Sequence, residues 1–238
     1  MADFLLVHGA AHGAWCWRDL IPALTARGHS VRAIDLPGHG GDLTPIADVT
    51  LDAYAIAILS AIDSPVTLVG HSMAGYPISL AAERAPDKIT RLVYLCAYLP
   101  AGDRTLAERR QENSHQPLLP ALIHADDRKS FRVDPARSRD LFYHDCPPGT
   151  ATYANARLCA QAVQPSNIPC PLGAAYASVP RSYIRCMDDH TIPPELQVAM
   201  TADWPARDVC EMPTGHSPFF ADPEGLAELL GDIADQDG

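Results

Sequence analysis

The sequence predicts an α/β fold, a mostly parallel sheet of about six strands flanked by helices with a small helical lid inserted. Three observations predict it. Short apolar runs alternate with helical periodicities. A serine among glycines stands between one such strand and the helix that follows. One strand-to-strand connection is far longer than a crossover needs.

The chain opens Met1-Ala2-Asp3 and enters its first strand at Phe4 to Val7. Further runs lie at Ser30 to Ile34, Val66 to Val69, Leu92 to Leu95, Tyr183 to Cys186 and Arg207 to Met212. Unbroken apolar runs rich in β-branched residues mark strands covered on both faces, as in a parallel sheet. Between the first two, Trp17, Leu20, Ile21 and Leu24 repeat at helical spacing and stop at Gly28. Leu51, Tyr54, Ala55, Ile58, Leu59 and Ile62 form a second helical stripe, with Thr50 placed as N-cap. The last helix carries Leu226, Leu229, Leu230 and Ile233 on one face, opened by Asp222 as N-cap and Pro223 at the first helical position. From Leu99 to Arg181 the chain runs through about eighty residues where a crossover needs roughly a dozen. Residues 1–99 and 181–238 therefore read as the core. Residues 100–180 read as a helical lid over the C-terminal sheet edge, periodic only around Tyr153 to Val163.

Composition narrows the function. The 238 residues suit one α/β domain, and 47% hydrophobic content suffices for a large core. A formal net charge of −11 repels nucleic acid and anionic membranes, which leaves a small molecule as partner. The N-terminus lacks a basic leader and a membrane-length apolar stretch, and the seven cysteines are odd in number with no C-x-x-C pair. Both features point to the cytoplasm. Ten histidines and seven cysteines include no H-x-x-x-H helix face, H-E-x-x-H or C-x-x-C spacing, so no metal is expected.

The chemistry gathers around Val66-Thr67-Leu68-Val69-Gly70-His71-Ser72-Met73-Ala74-Gly75, which reads strand, sharp turn, helix. A nucleophile elbow needs that context, because it holds serine in a strained conformation with Oγ projecting. Ala74 stands where the usual motif has glycine, a difference of one methyl. Two backbone N–H groups should meet the oxyanion of a tetrahedral intermediate. Met73, at the start of the helix, is one, and Ala10 in the loop His8-Gly9-Ala10-Ala11-His12-Gly13 is the other. His8 and His12 read as hydrogen-bonding residues that shape this loop, and Pro37-Gly38-His39-Gly40-Gly41 as a structural turn. Serine needs an imidazole base oriented by a carboxylate, here in the order Ser, Asp, His. Met187-Asp188-Asp189-His190 follows a strand, and Pro213-Thr214-Gly215-His216-Ser217 precedes the last helix. Parallel strands bring these loops and the elbow to one sheet edge. On spacing alone, Asp188, Asp189 and His190 all compete for the acid position.

These segments resemble the plant methylesterase and hydroxynitrile lyase group of α/β-hydrolases and its bacterial esterase relatives. The likeness runs nearly end to end. Val7-His8-Gly9-Ala10-Ala11-His12-Gly13-Ala14-Trp15-Cys16-Trp17 is similar to the group's first loop, Ala33-Ile34-Asp35-Leu36-Pro37 to its second strand end, and Gly70-His71-Ser72 to its elbow. Cys186 to Pro193 is similar to its acid loop, and Gly215-His216 to its histidine loop. The resemblance implies the α/β-hydrolase fold, a triad of Ser72, His216 and Asp189, oxyanion donors on Ala10 and Met73, no cofactor and a homodimer. The lid from Phe142 to Pro165 is shorter and looser than the group's, and Gly9, Ser217, Phe142 and Tyr143 are candidate pocket residues. The plant lyases use a threonine in the first loop and a lysine after the histidine; Gly9 and Ser217 occupy those positions here, and His71 is esterase-like. The implied reaction is hydrolysis of a small methyl or aryl ester. A carbamate, amide or lactone is the alternative for the same triad. A hydroxynitrile lyase or a ligand-binding receptor is a further one.

Overall fold

The structure, a computed structural model, describes residues 1–236. Strand β1 (Asp3–Val7) leads through a 3-10 turn, Ala14–Arg18, into helix α1 (Leu20–Ala26), and Gly28 at φ +83° turns the chain into β2 (Ser30–Ile34). Trp17 thus lies in the turn before the helix rather than in it. Helix α2 (Leu51–Ser60) starts where Thr50 predicts, with Thr50 Oγ1 accepting from Ala53 N–H at 3.0 Å. Then follow β3 (Val66–His71), the 3-10 turn Ser72–Ala74, α3 (Gly75–Arg84) and β4 (Ile89–Leu95).

The connection after β4 contains α4 (Leu106–Arg110), β5 (Leu122–His124), β6 (Ser130–Val133), α5 (Pro135–Phe142), α6 (Thr150–Asn155), β7 (Gln161–Ala162) and α7 (Ala174–Ser178). Beyond it lie β8 (Arg181–Cys186), α8 (Pro194–Met200), β9 (Val209–Met212), α9 (Pro218–Ala221) and α10 (Pro223–Asp235). Asp222 Oδ1 caps α10 by accepting from Gly225 N–H at 3.0 Å. Arg207 and Asp208, assigned to the last strand from sequence, belong instead to a 3-10 turn, Ala206–Asp208, before β9.

The six long strands form one sheet in the order β2-β1-β3-β4-β8-β9, parallel throughout. Alternation along β1 sends Leu5 and Val7 into one core with Tyr54 and Ile58 of α2 and Ile78 of α3. Phe4 and Leu6 enter another, with Leu20 and Leu24 of α1 and Leu226 and Leu230 of α10. A sheet buried on both faces explains why its strands read as unbroken apolar runs. From β1 the chain steps to β2 on one side and returns to β3 on the other, so strand order reverses between β1 and β3. The crevice outside the carboxyl ends at such a reversal is where this architecture binds ligands. Val7 pairs with Gly70 there, which sets Gly9 beside His71 and Ser72.

The long connection is less helical than its composition suggests. It holds a three-stranded antiparallel sheet, β5-β6-β7, beside short helices. The helix expected around Tyr153 to Val163 stops at Asn155, and the chain becomes extended at Gln161. Only Phe131 and Val133 face inward on β6, so the alternating signal is too short to read without its neighbours.

Two glycines let β3 meet α3. A Cβ on Gly70 would stand 2.7 Å from Ile78 Cδ1, the movable end of a side chain. A Cβ on Gly75 would overlap the carbonyl oxygen of Tyr98, which is backbone and cannot yield locally. Gly75→Ala is therefore expected to cost about 2 kcal/mol by overpacking, read as a lower urea midpoint at unchanged m-value. A wild-type midpoint would contradict this close approach.

Candidate active site

Ser72 directly follows β3 in a left-handed conformation, φ +57°, and is 7% exposed. The backbone is held there by Tyr98 N–H, which donates to Ser72 O at 3.1 Å. Ala74 is buried within the turn, so its methyl fits the elbow in place of glycine. His216 Nε2 lies 3.1 Å from Ser72 Oγ, and His216 Nδ1 lies 2.8 Å from Asp189 Oδ2. With the proton on Nδ1 donated to Asp189, the Nε2 lone pair faces the serine hydroxyl, the arrangement a general base requires.

Among the three competitors on the acid loop, burial and hydrogen bonding separate Asp189. Its side chain is 0% exposed; Oδ1 accepts from Thr191 N–H (2.7 Å) and Ile192 N–H (2.9 Å), while Oδ2 also accepts from Gln197 on α8 (3.1 Å). Asp188 is exposed and lies 3.1 Å from His144, and His190 Nδ1–H donates outward to Asp140 O.

Three other buried histidines at this edge, His8, His12 and His71, are each hydrogen-bonded to groups other than Ser72. His8 Nδ1–H donates to Gly9 O (2.8 Å), and its Nε2 accepts from Leu36 N–H (3.0 Å). His12 Nδ1–H donates to Ala10 O (2.8 Å), and its Nε2 accepts from Tyr143 O–H (2.7 Å). His71 Nε2–H donates to the carbonyl of His216 (2.8 Å), tying the elbow to the histidine loop. Burial pushes His12 down to about 4, with His216 and His39 adding to the effect. Burial also holds His8 and His71 well below the ordinary histidine value, and the neighbouring His39 and His216, respectively, lower them further.

A cavity of about 20 Å³ adjoins Ser72. On the sheet side it is lined by Ala10, His12, His71, Ser72 and His216, and on the other by Leu118, Phe131, Val133, Phe142 and Thr191. Phe142 is the one candidate pocket residue in this lining. Tyr143 sits behind His12, Ser217 is buried with its hydroxyl unpartnered, and Gly9 packs against His71. Leu118, Phe131 and Val133 escape the sequence reading because they belong to the small sheet and its approach. A wider hollow near His115, Arg137 and Glu195 reaches the far side of Asp189, away from Ser72. Met73 occupies the first 3-10 turn, where backbone N–H groups have no intrahelical acceptor.

Among the described residues, two groups of side chains have metal-ligating types close together. In the first, His71, Cys96 and His216, both ring nitrogens of His216 are engaged by Ser72 and Asp189. In the second, the rings of His144 and His190 stack 3.7 Å apart at 8°, so their lone pairs run parallel beside Asp188 instead of converging. Neither arrangement presents a ready ligand set. Among the described residues, no helix is long and apolar enough to cross a membrane.

Residues 4–229 match the model of a family described as the alpha/beta hydrolase family. The chain is 32% identical over 247 residues to a pyrethroid hydrolase of Sphingobium wenxiniae, covering 99% of this chain and 88% of that protein. It is 31% identical over 250 residues to methylesterase 7 of Arabidopsis thaliana, covering 98% and 96%. A crystal structure of a pyrethroid hydrolase from Sphingobium faniae JZ-2 is similar at a TM-score of 0.87 and 31% identity, over 98% of this chain and 97% of that one.

The depressed histidines tie stability to pH. Between pH 4 and 6.5 the unfolded chain binds more protons than the folded one at His12, so stability is complete above about 6.5 and drains as pH falls towards 4. For His12 alone the loss between pH 7 and pH 5 is about 2 kcal/mol. Urea midpoints should fall over that range, and His12→Gln should flatten the dependence. A variant whose midpoints fall in parallel with wild type would contradict a neutral, buried His12.

Proposed function

The chain belongs to the alpha/beta hydrolase family, and from that premise we propose that it is a serine hydrolase cleaving a small carboxylic ester through an acyl-enzyme on Ser72. The observation that carries the reading is the chain of Asp189, His216 and Ser72 at 2.8 and 3.1 Å, buried at a strained serine. The names of the relatives, a pyrethroid hydrolase and methylesterases, support an ester as the scissile group.

Ser72 Oγ attacks the ester carbonyl while His216 Nε2 takes its proton, and Asp189 stabilises the resulting imidazolium. Ala10 and Met73 N–H groups receive the charge that develops on the carbonyl oxygen. His216 returns its proton to the departing alcohol, leaving Ser72 acylated. Water, deprotonated by His216, then releases the acid and restores the serine. His8, His12 and His71, held neutral by burial, do not compete as proton carriers.

A space of about 20 Å³ accommodates roughly one water. Residues 100–180 accordingly act as a lid over the core of residues 1–99 and 181–238, and admit substrate when Leu118, Phe131, Val133 and Phe142 draw back. Those side chains select an apolar acyl or alcohol group. Hydrolysis is favoured over cyanohydrin cleavage by the space at Gly9, where a Cβ would stand 2.8 Å from His71 Nδ1 and 2.9 Å from Ser72 Cβ. A threonine like that of the plant lyases does not fit beside His71. Seven free cysteines support a reducing, cytoplasmic setting, and the family resemblance supports a homodimer.

Ser72→Ala and His216→Ala should each lower kcat on methyl and p-nitrophenyl esters by about 10⁴-fold or more, and Asp189→Asn by roughly 10⁴-fold. Wild-type turnover by Ser72→Ala would overturn the mechanism. Matched carbamates, amides and lactones in the same panel, ranked by kcat/KM, decide whether the ester is preferred.

A further inference from the structure

Ala11 follows the proposed oxyanion donor Ala10 and is one of the few non-glycine residues with a left-handed backbone, φ +60°. An alanine adopts that conformation only when its surroundings hold it there. Here both backbone polar atoms of Ala11 are bonded to the inserted segment. Its N–H donates to Gln161 Oε1 at 3.0 Å across 150 residues of sequence, and its carbonyl accepts from Cys159 N–H at 3.0 Å.

Gln161 is built for this task. It is 0% exposed, and both ends of its amide are engaged. Oε1 also lies 3.0 Å from His39 Nε2, and Nε2 donates to Tyr54 Oη and Ala162 O, each at 3.1 Å. The amide has one orientation, since turning it over would set its NH₂ against Ala11 N–H and its oxygen against Ala162 O. One side chain thus joins the first loop, the turn at His39, α2 and the small sheet. Phe131, which pairs with Gln161 across β6 and β7, lines the cavity beside Ser72.

We propose that Gln161 is a positioning residue for acyl transfer, holding Ala11 in its left-handed conformation from the inserted segment and thereby aiming Ala10 N–H at the developing oxyanion. The proposal rests on the acyl-enzyme reading above and deepens it. The segment is then part of the machinery that stabilises the transition state, in addition to covering it. A donor misdirected by a relaxed loop loses the transition state selectively, because the ground-state carbonyl needs it far less.

The test compares wild type, Gln161→Met, Gln161→Asn, and each combined with Ala11→Gly, in the full-length protein. Methionine keeps the volume and removes the acceptor; asparagine keeps the amide, shortens its reach and serves if the first variant folds poorly. The readouts are kcat and KM on p-nitrophenyl acetate and the inhibition constant of a trifluoromethyl ketone, whose adduct with serine carries an oxyanion. Either single variant should lose about 10- to 100-fold in kcat, with KM within about threefold and inhibitor affinity falling in step with kcat. Ala11→Gly, which removes the cost of the left-handed backbone, should recover several-fold of the loss, and the acid limb of the pH profile should stay in place. Wild-type kcat and inhibitor affinity with only a lowered Tm would overturn the proposal, as would a rise confined to KM or an absent rescue. Ser72→Ala assayed alongside separates the layers: turnover retained there overturns the acyl-enzyme reading itself. Turnover lost there, with wild-type values for the Gln161 variants, overturns only the positioning role.

Discussion

Asp189 is a carboxylate with no solvent contact, tolerable only because four N–H groups point at its two oxygens. Much of the site's local architecture serves that requirement. The tight turn after Asp189 supplies two donors from its own backbone. Helix α8 starts close enough to offer Gln197, which also accepts from Cys186 N–H and donates to Ile192 O, bracing the turn from both ends. The fourth donor is His216. Its ring is fixed in the one tautomer that leaves a lone pair facing Ser72, so the carboxylate's need for partners is what orients the imidazole.

Strain collects at the same edge of the sheet. Of the non-glycine residues in left-handed backbone, Ala11, Ser72 and Cys96 each follow the carboxyl end of a central strand. Arg128, the other, lies in the loop between β5 and β6. The inserted segment reaches the first loop, the acid loop and the histidine loop of the candidate site. Cys159 and Gln161 bond the first loop, Thr191 Oγ1–H of the acid loop donates to Leu141 O, and Gly215 N–H of the histidine loop donates to Asp145 Oδ2. Under the lid reading proposed above, strained loops on the sheet edge, each bonded to the inserted segment, link closure of the segment to assembly of the site.

The core was legible in the sequence because each of its signals is local. Strands buried on both faces read as unbroken apolar runs, Thr50 and Asp222 announce their helices, and Gly70 and Gly75 mark a close crossing. Ser72, Asp189 and His216 could be placed because parallel strands align their ends, although choosing Asp189 over Asp188 needed the family resemblance. Legibility ended where structure depends on distant pairing. Phe131 and Val133 alternate for a single period, and β7 is two residues long; neither declares a strand until its partner is known. Gln161 carried no signal at all, since a glutamine bonded across 150 residues looks like any surface glutamine.

The proposed mechanism requires that Ser72 become acylated in the course of turnover. Rapid acid quench of the enzyme with p-nitrophenyl acetate, followed by intact mass and peptide mapping, measures this directly. A transient gain of one acetyl group on the peptide containing Ser72, formed with the first release of nitrophenol and lost at the turnover rate, is the predicted result. Turnover with no adduct at Ser72, or an adduct on another residue that forms and decays at the turnover rate, would contradict it.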